Sequence, residues 1–228
     1  MGGNERVLLH RLNGQLIAAV QTLFPSARWD DWIINVIILH RRTADVEQTA
    51  LQTSATWYKG ELYDRQERCT RESKVRTLDM NVPLQASLAG YCVTTGNIVW
   101  VDELVRLSLA DPLHDLYKEF TQVGVDAPEK PNSEYVFPIG FKNGAGTSCL
   151  GVLNCEWYGD ASVPSPFAEL KRNVVSDLIM SVARAHAPFV AIALNPEAAR
   201  TGDFSGILAF HSTLLENRVQ RLRSGETL

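Results

Sequence analysis

The chain has 228 residues, of which 45% are hydrophobic and 21% charged, and its formal net charge is −4. This length suits one large domain, or a domain with an appendage, and is enough to bury a core without covalent staples. The composition excludes wholesale disorder, and the net negative charge offers no broad positive field for nucleic acid or anionic lipid.

The first residues, Met1-Gly2-Gly3-Asn4-Glu5-Arg6, lack the basic and apolar regions of a secretory signal, and Arg6 stands where a myristoylation motif needs Ser or Thr. No unbroken apolar run reaches the roughly 18 residues of a membrane span. Four cysteines (Cys69, Cys92, Cys149 and Cys155) in a chain this long are not a disulfide scaffold. The cytoplasm is the expected compartment.

Periodicity predicts an amphipathic helix over 5–24, with Leu8, Leu9, Leu12, Leu16, Ile17, Val20 and Leu23 on its stripe. Pro25-Ser26 ends it. Residues 32–39 (WIINVIIL) are β-branched and continuous and read as a strand buried on both faces. Residues 47–57, rich in Thr, read as its antiparallel neighbour. In 60–82, Arg65, Arg68, Arg71, Lys74 and Arg76 are interleaved with Asp64, Glu67 and Glu72. Such mixed signs fit a solvated loop or helix face better than a nucleic-acid patch, and they leave the role of 61–78 open.

A helix is expected over 83–95, with Leu84, Leu88 and Cys92 on one stripe and Gly96 as its left-handed cap, followed by a short strand over 97–101. Residues 103–132 form a long connection with a helical patch at 112–120. A segment of that length within a compact domain is usually functional. Strands follow at 134–141 and 147–157, joined by the hairpin turn Lys142-Asn143-Gly144-Ala145-Gly146. The longest helix is expected over 166–190, with Phe167, Leu170, Val174, Leu178, Val182 and Phe189 as its apolar face. Asn195-Pro196 opens a short helix. A last helix over 204–223 carries Ile207, Leu208, Leu214, Leu215, Val219 and Leu222. The expected division is one domain over 1–194 and a helical extension over 195–228. The class is α+β: a mostly antiparallel sheet with helices packed on one face, the helices at 5–24 and 166–190 being the covering layer.

Gly144-Ala145-Gly146 is not a phosphate loop, since it joins two strands and lacks the Gly-Lys-Ser/Thr ending. The histidines show no metal-ligand spacing, and no Gly-x-Ser-x-Gly elbow occurs. Cys149 and Cys155 share the parity of Leu153 and Trp157 and lie about 20 Å apart along a strand. They are expected to be inert thiols facing the helical layer. Burial of Cys92 with Leu84 and Leu88 is favoured over a reactive thiol.

The other face of the 147–157 strand carries Leu150, Val152, Asn154 and Glu156, and the preceding strand places Glu134 two residues before Val136. Polar side chains inside apolar strands either meet solvent on a wet face or line a pocket, which the 103–132 connection would roof. The expected ligand-binding residues are Trp100, Asp102, Tyr117, Phe120, Glu134, Val136, Asn154 and Glu156. No catalytic residue or metal ligand is assigned, and no cofactor is identified.

Ser133-Glu134-Tyr135-Val136-Phe137-Pro138-Ile139, followed by Gly151-Val152-Leu153-Asn154-Cys155-Glu156, resembles a pattern of GAF domains. Ala89-Gly90, the segment from Thr95-Gly96 to Val101-Asp102, and the closing helix over 167–187 are similar to further parts of that family, so the resemblance covers about residues 5–190. It implies a six-stranded antiparallel sheet with helices behind. A small ligand would sit in front, between the sheet and the connection before the Ser-Glu strand. It also implies a sensory or regulatory role and dimerisation through the first and last helices.

One enzymatic branch of the family, the free methionine-(R)-sulfoxide reductases, is similar at Gly90-Tyr91-Cys92 and carries acids where Glu134, Asn154 and Glu156 stand. Its catalytic cysteine precedes the Ser-Glu glutamate by seven residues, and that position here is Ala127. No cysteine lies between Cys92 and Cys149, and Asn154 replaces one acid, so the sulfoxide has no nucleophile to meet. Bilin attachment lacks a cysteine in 103–132, and the NKFDE-type signature of cyclic-nucleotide binders is not found. The expectation is a regulatory domain that binds a small molecule. It would be dimeric, with 204–223 packing against a second chain or a partner's helix, and it would have no nucleic-acid or membrane role. The rivals are the reductase and a degenerate GAF domain that serves only to dimerise.

Overall fold

The computed structural model describes residues 3–41, 49–58, 60–63, 87–103, 131–143, 146–195 and 200. Helix α1 (Gly3–Leu23) buries Leu9, Leu16, Ile17 and Val20 together with Asn13. Leu8 and Leu23, expected on the stripe, are exposed. The buried arc is narrower than the apolar one because a polar residue, Asn13, occupies its middle. Pro25 cannot continue the helix. Two 3₁₀ turns, Pro25–Ala27 and Trp29–Asp31, lead into the sheet, with Arg28 between them at φ 47°.

The sheet has six strands: β1 (Trp32–Arg41), β2 (Thr49–Tyr58), β3 (Glu61–Tyr63), β4 (Val99–Val101), β5 (Ser133–Asn143) and β6 (Gly146–Trp157). Their order is β3-β2-β1-β6-β5-β4, and every neighbouring pair is antiparallel. The α+β class and the GAF-like six-stranded antiparallel sheet expected from the sequence are both present. β1 lies inside the sheet, and residues 32–39 are all buried, as their largely apolar sequence predicts. β3 has no counterpart among the predicted elements, since three residues carry no readable period. The 142–146 turn tightens, because Asn143 pairs with Gly146 and only 144–145 remain between the strands, outside the described residues.

Strands β1 and β6 approach closely at Gly151. A Cβ there would lie 2.3 Å from the Ile37 carbonyl oxygen and 3.0 Å from Ile38 Cα, so only glycine fits.

The two long helices, α1 and α3 (Arg172–Leu194), pack on each other and on one face of the sheet. Here Trp32, Ile34, Val36 and Ile38 meet Tyr135, Phe137, Ile139, Leu153 and Cys155. Phe167 closes one end of this core, its ring 4.8 Å from Trp32 and 5.3 Å from both Phe24 and Tyr135.

The short helix α2 (Leu88–Thr95) lies on the opposite face. The Ser87 side chain caps it by accepting from the Gly90 N–H at 2.9 Å. Gly96 ends it at φ 70°, its N–H donating to the Cys92 carbonyl. Leu88, Ala89, Cys92 and Val93 cover Ile37, Val99, Val101, Val136 and Val152. The one-sided helical layer expected from the sequence therefore holds for the long helices, while α2 covers part of the front.

Helix α3 turns a different side inward from the one predicted. Its buried residues include Val175, Ile179, Ala183, Ala187, Val190 and Ala191. Val174, Leu178 and Phe189, expected in the core, are 49%, 40% and 56% exposed, and Leu170 is exposed too. Alanines at 183, 187 and 191 share the inner side with Val175, Ile179, Met180 and Val190, a line offset from the one read in the sequence. By length and composition α3 is also apolar enough to cross a membrane, a property the search for an unbroken run passes over. In this fold its inner side rests on the sheet. The extension over 196–228, apart from Arg200, lies outside the described residues.

Candidate functional site

Strand alternation sends Val152, Asn154 and Glu156 of β6 to the front face, the one α2 partly covers, and Leu153, Cys155 and Trp157 to the back. In register, Glu134 of β5 stands opposite Glu156, and Asn154 stands between Val136 of β5 and Asn35 of β1. Asn35 in turn faces Thr56 of β2. A polar row, Thr56–Asn35–Asn154–Glu156–Glu134, thus crosses four strands.

The row is internally bonded. Thr56 Oγ1 donates to Asn35 Oδ1 at 2.6 Å. Glu156 Oε1 accepts from Asn154 Nδ2 at 2.7 Å and, at a longer 3.5 Å, from Asn35 Nδ2. Glu156 Oε2 accepts from Tyr158 Oη at 2.8 Å. Asn154 is 4% exposed, and its Oδ1 has no hydrogen-bond partner. Rotating the amide would set that oxygen against the Glu156 carboxylate, so Glu156 fixes the orientation and leaves the carbonyl unsatisfied. Burying such a group without a partner costs roughly 1–3 kcal/mol. Glu134 is 9% exposed. Burial pushes its carboxyl up to about 8, the charge of Glu156 adds to the rise, and a hydrogen bond from Asn154 opposes it.

Of the residues expected to bind a ligand, Glu134, Val136, Asn154 and Glu156 come together. Trp100 and Asp102 do not join them. β4 pairs Trp100 with Tyr135, which gives Trp100 the parity of the back face. There its ring lies 4.6 Å from Tyr135, and the Arg172 guanidinium sits over it at 5.5 Å. Asp102 anchors the same corner: its Oδ1 accepts from Tyr135 Oη at 2.8 Å, and its carbonyl accepts from Ser133 Oγ. Tyr117, Phe120 and residues 104–130, expected as a roof, lie outside the described residues, as does Ala127. Asn35 and Thr56 are additions the sequence reading missed. The available signal was Asn35 itself, the polar residue that interrupts WIINVIIL.

Of the thiols, Cys92 and Cys155 are buried as expected, while Cys149 departs from expectation. β6 bulges at Leu150, since Ile139 pairs with Gly151 while Gly140 pairs with Cys149. The extra residue reverses the alternation, so Cys149 faces the front with Cys92 and Leu150 joins the back core. Cys149 Sγ lies 3.8 Å from the Cys92 carbonyl, and Cys92 Sγ lies 3.7 Å from that of Val136. Burial raises the Cys92 thiol well above its ordinary range, raises Cys149 to about 12, and raises Cys155 as well. None of these three is a thiolate at neutral pH. Among the described residues no group of three or more His, Cys, Asp or Glu is placed to hold a metal ion.

No family model and no curated protein matches the chain. Three solved structures to which it is similar span most of its length. One is a type II free methionine-R-sulfoxide reductase from Thermoplasma acidophilum, at 17% identity and TM-score 0.46, covering 80% of this chain and 94% of that one. Another is the GAF domain of an Acinetobacter phosphoenolpyruvate-protein phosphotransferase, at 13% identity and TM-score 0.44, covering 90% and 99%. The third is a GAF domain/HD domain protein from Geobacter sulfurreducens, at 11% identity and TM-score 0.46, covering 81% and 96%.

Proposed function

We propose that the chain is a GAF-like sensory module that binds a small molecule on the sheet face bearing Glu134, Asn154 and Glu156. Binding would be passed to a second copy of the chain or to a partner protein. The observation that carries this reading is the Asn154 carbonyl, buried beside Glu134 without a hydrogen-bond partner. A row of polar residues inside an otherwise apolar face opposes folding unless something satisfies it. A ligand supplies what the row lacks.

The output surface in this reading is the outer side of α3. Val174, Leu178, Ala185, Phe189 and Ile192 are exposed there, at steps of four, seven, four and three residues. That spacing keeps them on one exposed apolar stripe of the helix. It supports a second copy as the partner on this face, with 204–223 as an added contact. The reductase reading is disfavoured by the buried, protonated thiols and by Ala127.

Native mass spectrometry of the purified chain tests the proposal. A co-purified small molecule is expected, and it should be lost on Glu134→Gln while the circular dichroism spectrum is unchanged. Retention of the molecule by that folded variant would contradict the assignment of this face.

A further inference from the structure

Resting on that reading, we infer that the group recognised on the front face is a protonated nitrogen bearing N–H donors, an ammonium or guanidinium, seated against the Glu134 carboxylate and the Asn154 carbonyl.

The argument is an inventory of donors and acceptors. The side-chain donors of the row are committed within it. Thr56 donates to Asn35, while Asn35, Asn154 and Tyr158 all donate to Glu156. What is left unsatisfied is an acceptor, the buried Asn154 Oδ1. Beside it is a second acceptor group, the Glu134 carboxyl, which a ligand can draw into its charged form. An anionic ligand would meet the Glu156 carboxylate, and a purely accepting one could take the Glu134 proton's hydrogen bond but would leave Asn154 Oδ1 without a donor. A neutral donor would satisfy Asn154 but could not draw Glu134 into its charged form beside Glu156. A cation with N–H groups does both, because charge-assisted hydrogen bonds to a carboxylate are the stronger kind.

Among the described residues the groups that act on Glu134 include no cation. What acts on its carboxyl is burial, the charge of Glu156 on β6 and the amide of Asn154, while β4 presents Val101 opposite it. A hard metal ion fits less well. A divalent cation takes six or more oxygens, whereas this row supplies two carboxylates and one amide oxygen. A bound cation would hold Glu134 ionised, so binding at neutral pH releases a proton.

The test is a titration of the ¹⁵N-labelled full chain at constant ionic strength with methylammonium, guanidinium, tetramethylammonium, calcium and acetate salts, followed by NMR. Methylammonium or guanidinium is expected to give saturable shifts at Asn154 and Glu134. Tetramethylammonium, which has the charge but no N–H, should give none there. Glu134→Gln should weaken the binding about tenfold or more. Its spectrum elsewhere, unchanged from that of the parent chain, shows that the variant is folded. Equal saturation by tetramethylammonium, or saturation by calcium or acetate at the same residues, would overturn the N–H cation and leave the small-molecule face standing. The absence of any saturable probe at these residues would overturn both.

Discussion

Glu134 of β5 and Glu156 of β6 are direct cross-strand partners on the front face of the sheet. Like charges in that relationship are destabilising, more so when both are withdrawn from water. The fold accommodates them unequally. Glu156 gathers donors from Asn154, Asn35 and Tyr158, while Glu134 keeps its proton. One carboxylate and one carboxylic acid, with an unsatisfied amide oxygen beside them on β6, are the groups that the proposed ligand would meet.

The protonated state of Glu134 makes stability depend on pH. Its folded pKa, about 8, lies above the ordinary carboxylate value. Between those values the folded chain holds a proton that the unfolded chain has released, so this contribution is full at low pH and is lost as pH rises towards 8. The slope is about 1.4 kcal/mol per pH unit. Glu134→Gln removes it. Chemical denaturation should find the variant stabilised relative to the parent by a few kcal/mol more at pH 8 than at pH 5. An equal difference at both pH values would contradict the protonated acid.

His186 provides the opposite sign. Burial lowers its pKa to about 4, and its Nε2–H donates to Asn13 Oδ1 at 3.0 Å, while Asn13 Nδ2 donates to Ser54. Below the ordinary histidine range the unfolded chain takes up a proton that the folded chain refuses, so this contribution to stability is lost as pH falls towards 4. In an NMR titration the His186 ring should still be neutral at pH 5. A midpoint near 6.5 would show that it is not held in this network.

Gly151 is a packing requirement. Gly151→Ala drives a methyl group into the Ile37 carbonyl and the Ile38 backbone, both at the centre of the sheet. Neither can yield without parting β1 from β6. A loss of roughly 1–3 kcal/mol or more is expected by denaturant titration. An unchanged midpoint would show that the strands are farther apart than described.

The outer stripe of α3 predicts assembly. Leu178→Glu combined with Phe189→Glu should convert a dimer to a monomer by light scattering and leave the fold intact, because both residues point away from the core. A parent chain already monomeric at micromolar concentration, or a double variant that remains dimeric, would remove this surface from the account. A truncation at residue 203 separates the contribution of 204–223.

The strands were legible where chemistry repeats every two residues. β1 is apolar from Trp32 to Leu39 but for Asn35 and sits inside the sheet, and Asn154 and Glu156 share a face as their parity requires. Parity failed at Cys149 because a bulge at Leu150 resets it, and a bulge leaves no mark in composition. The α3 helix was read along Val174, Leu178 and Phe189, whereas its core side runs through Val175, Ile179, Ala183, Ala187 and Val190. Trp100 looked like a ligand-facing aromatic, but β4 is three residues long and its direction is set by pairing with Tyr135. Asn35 and Thr56 joined the site through register alone, since they lie about 80 to 120 residues from Glu134 and Asn154 along the chain. The resemblance to GAF domains carried the sixth strand, which no local pattern at 61–63 could supply.

The most direct measurement is a high-resolution crystal structure of the chain as purified, inspected at Asn154. The account predicts a bound small molecule on the front face whose N–H group reaches Asn154 Oδ1 at hydrogen-bonding distance and contacts the Glu134 carboxyl. If Asn154 Oδ1 instead meets open solvent, with the Glu134 carboxyl hydrated beside it, the face is simply wet and the proposed site is wrong.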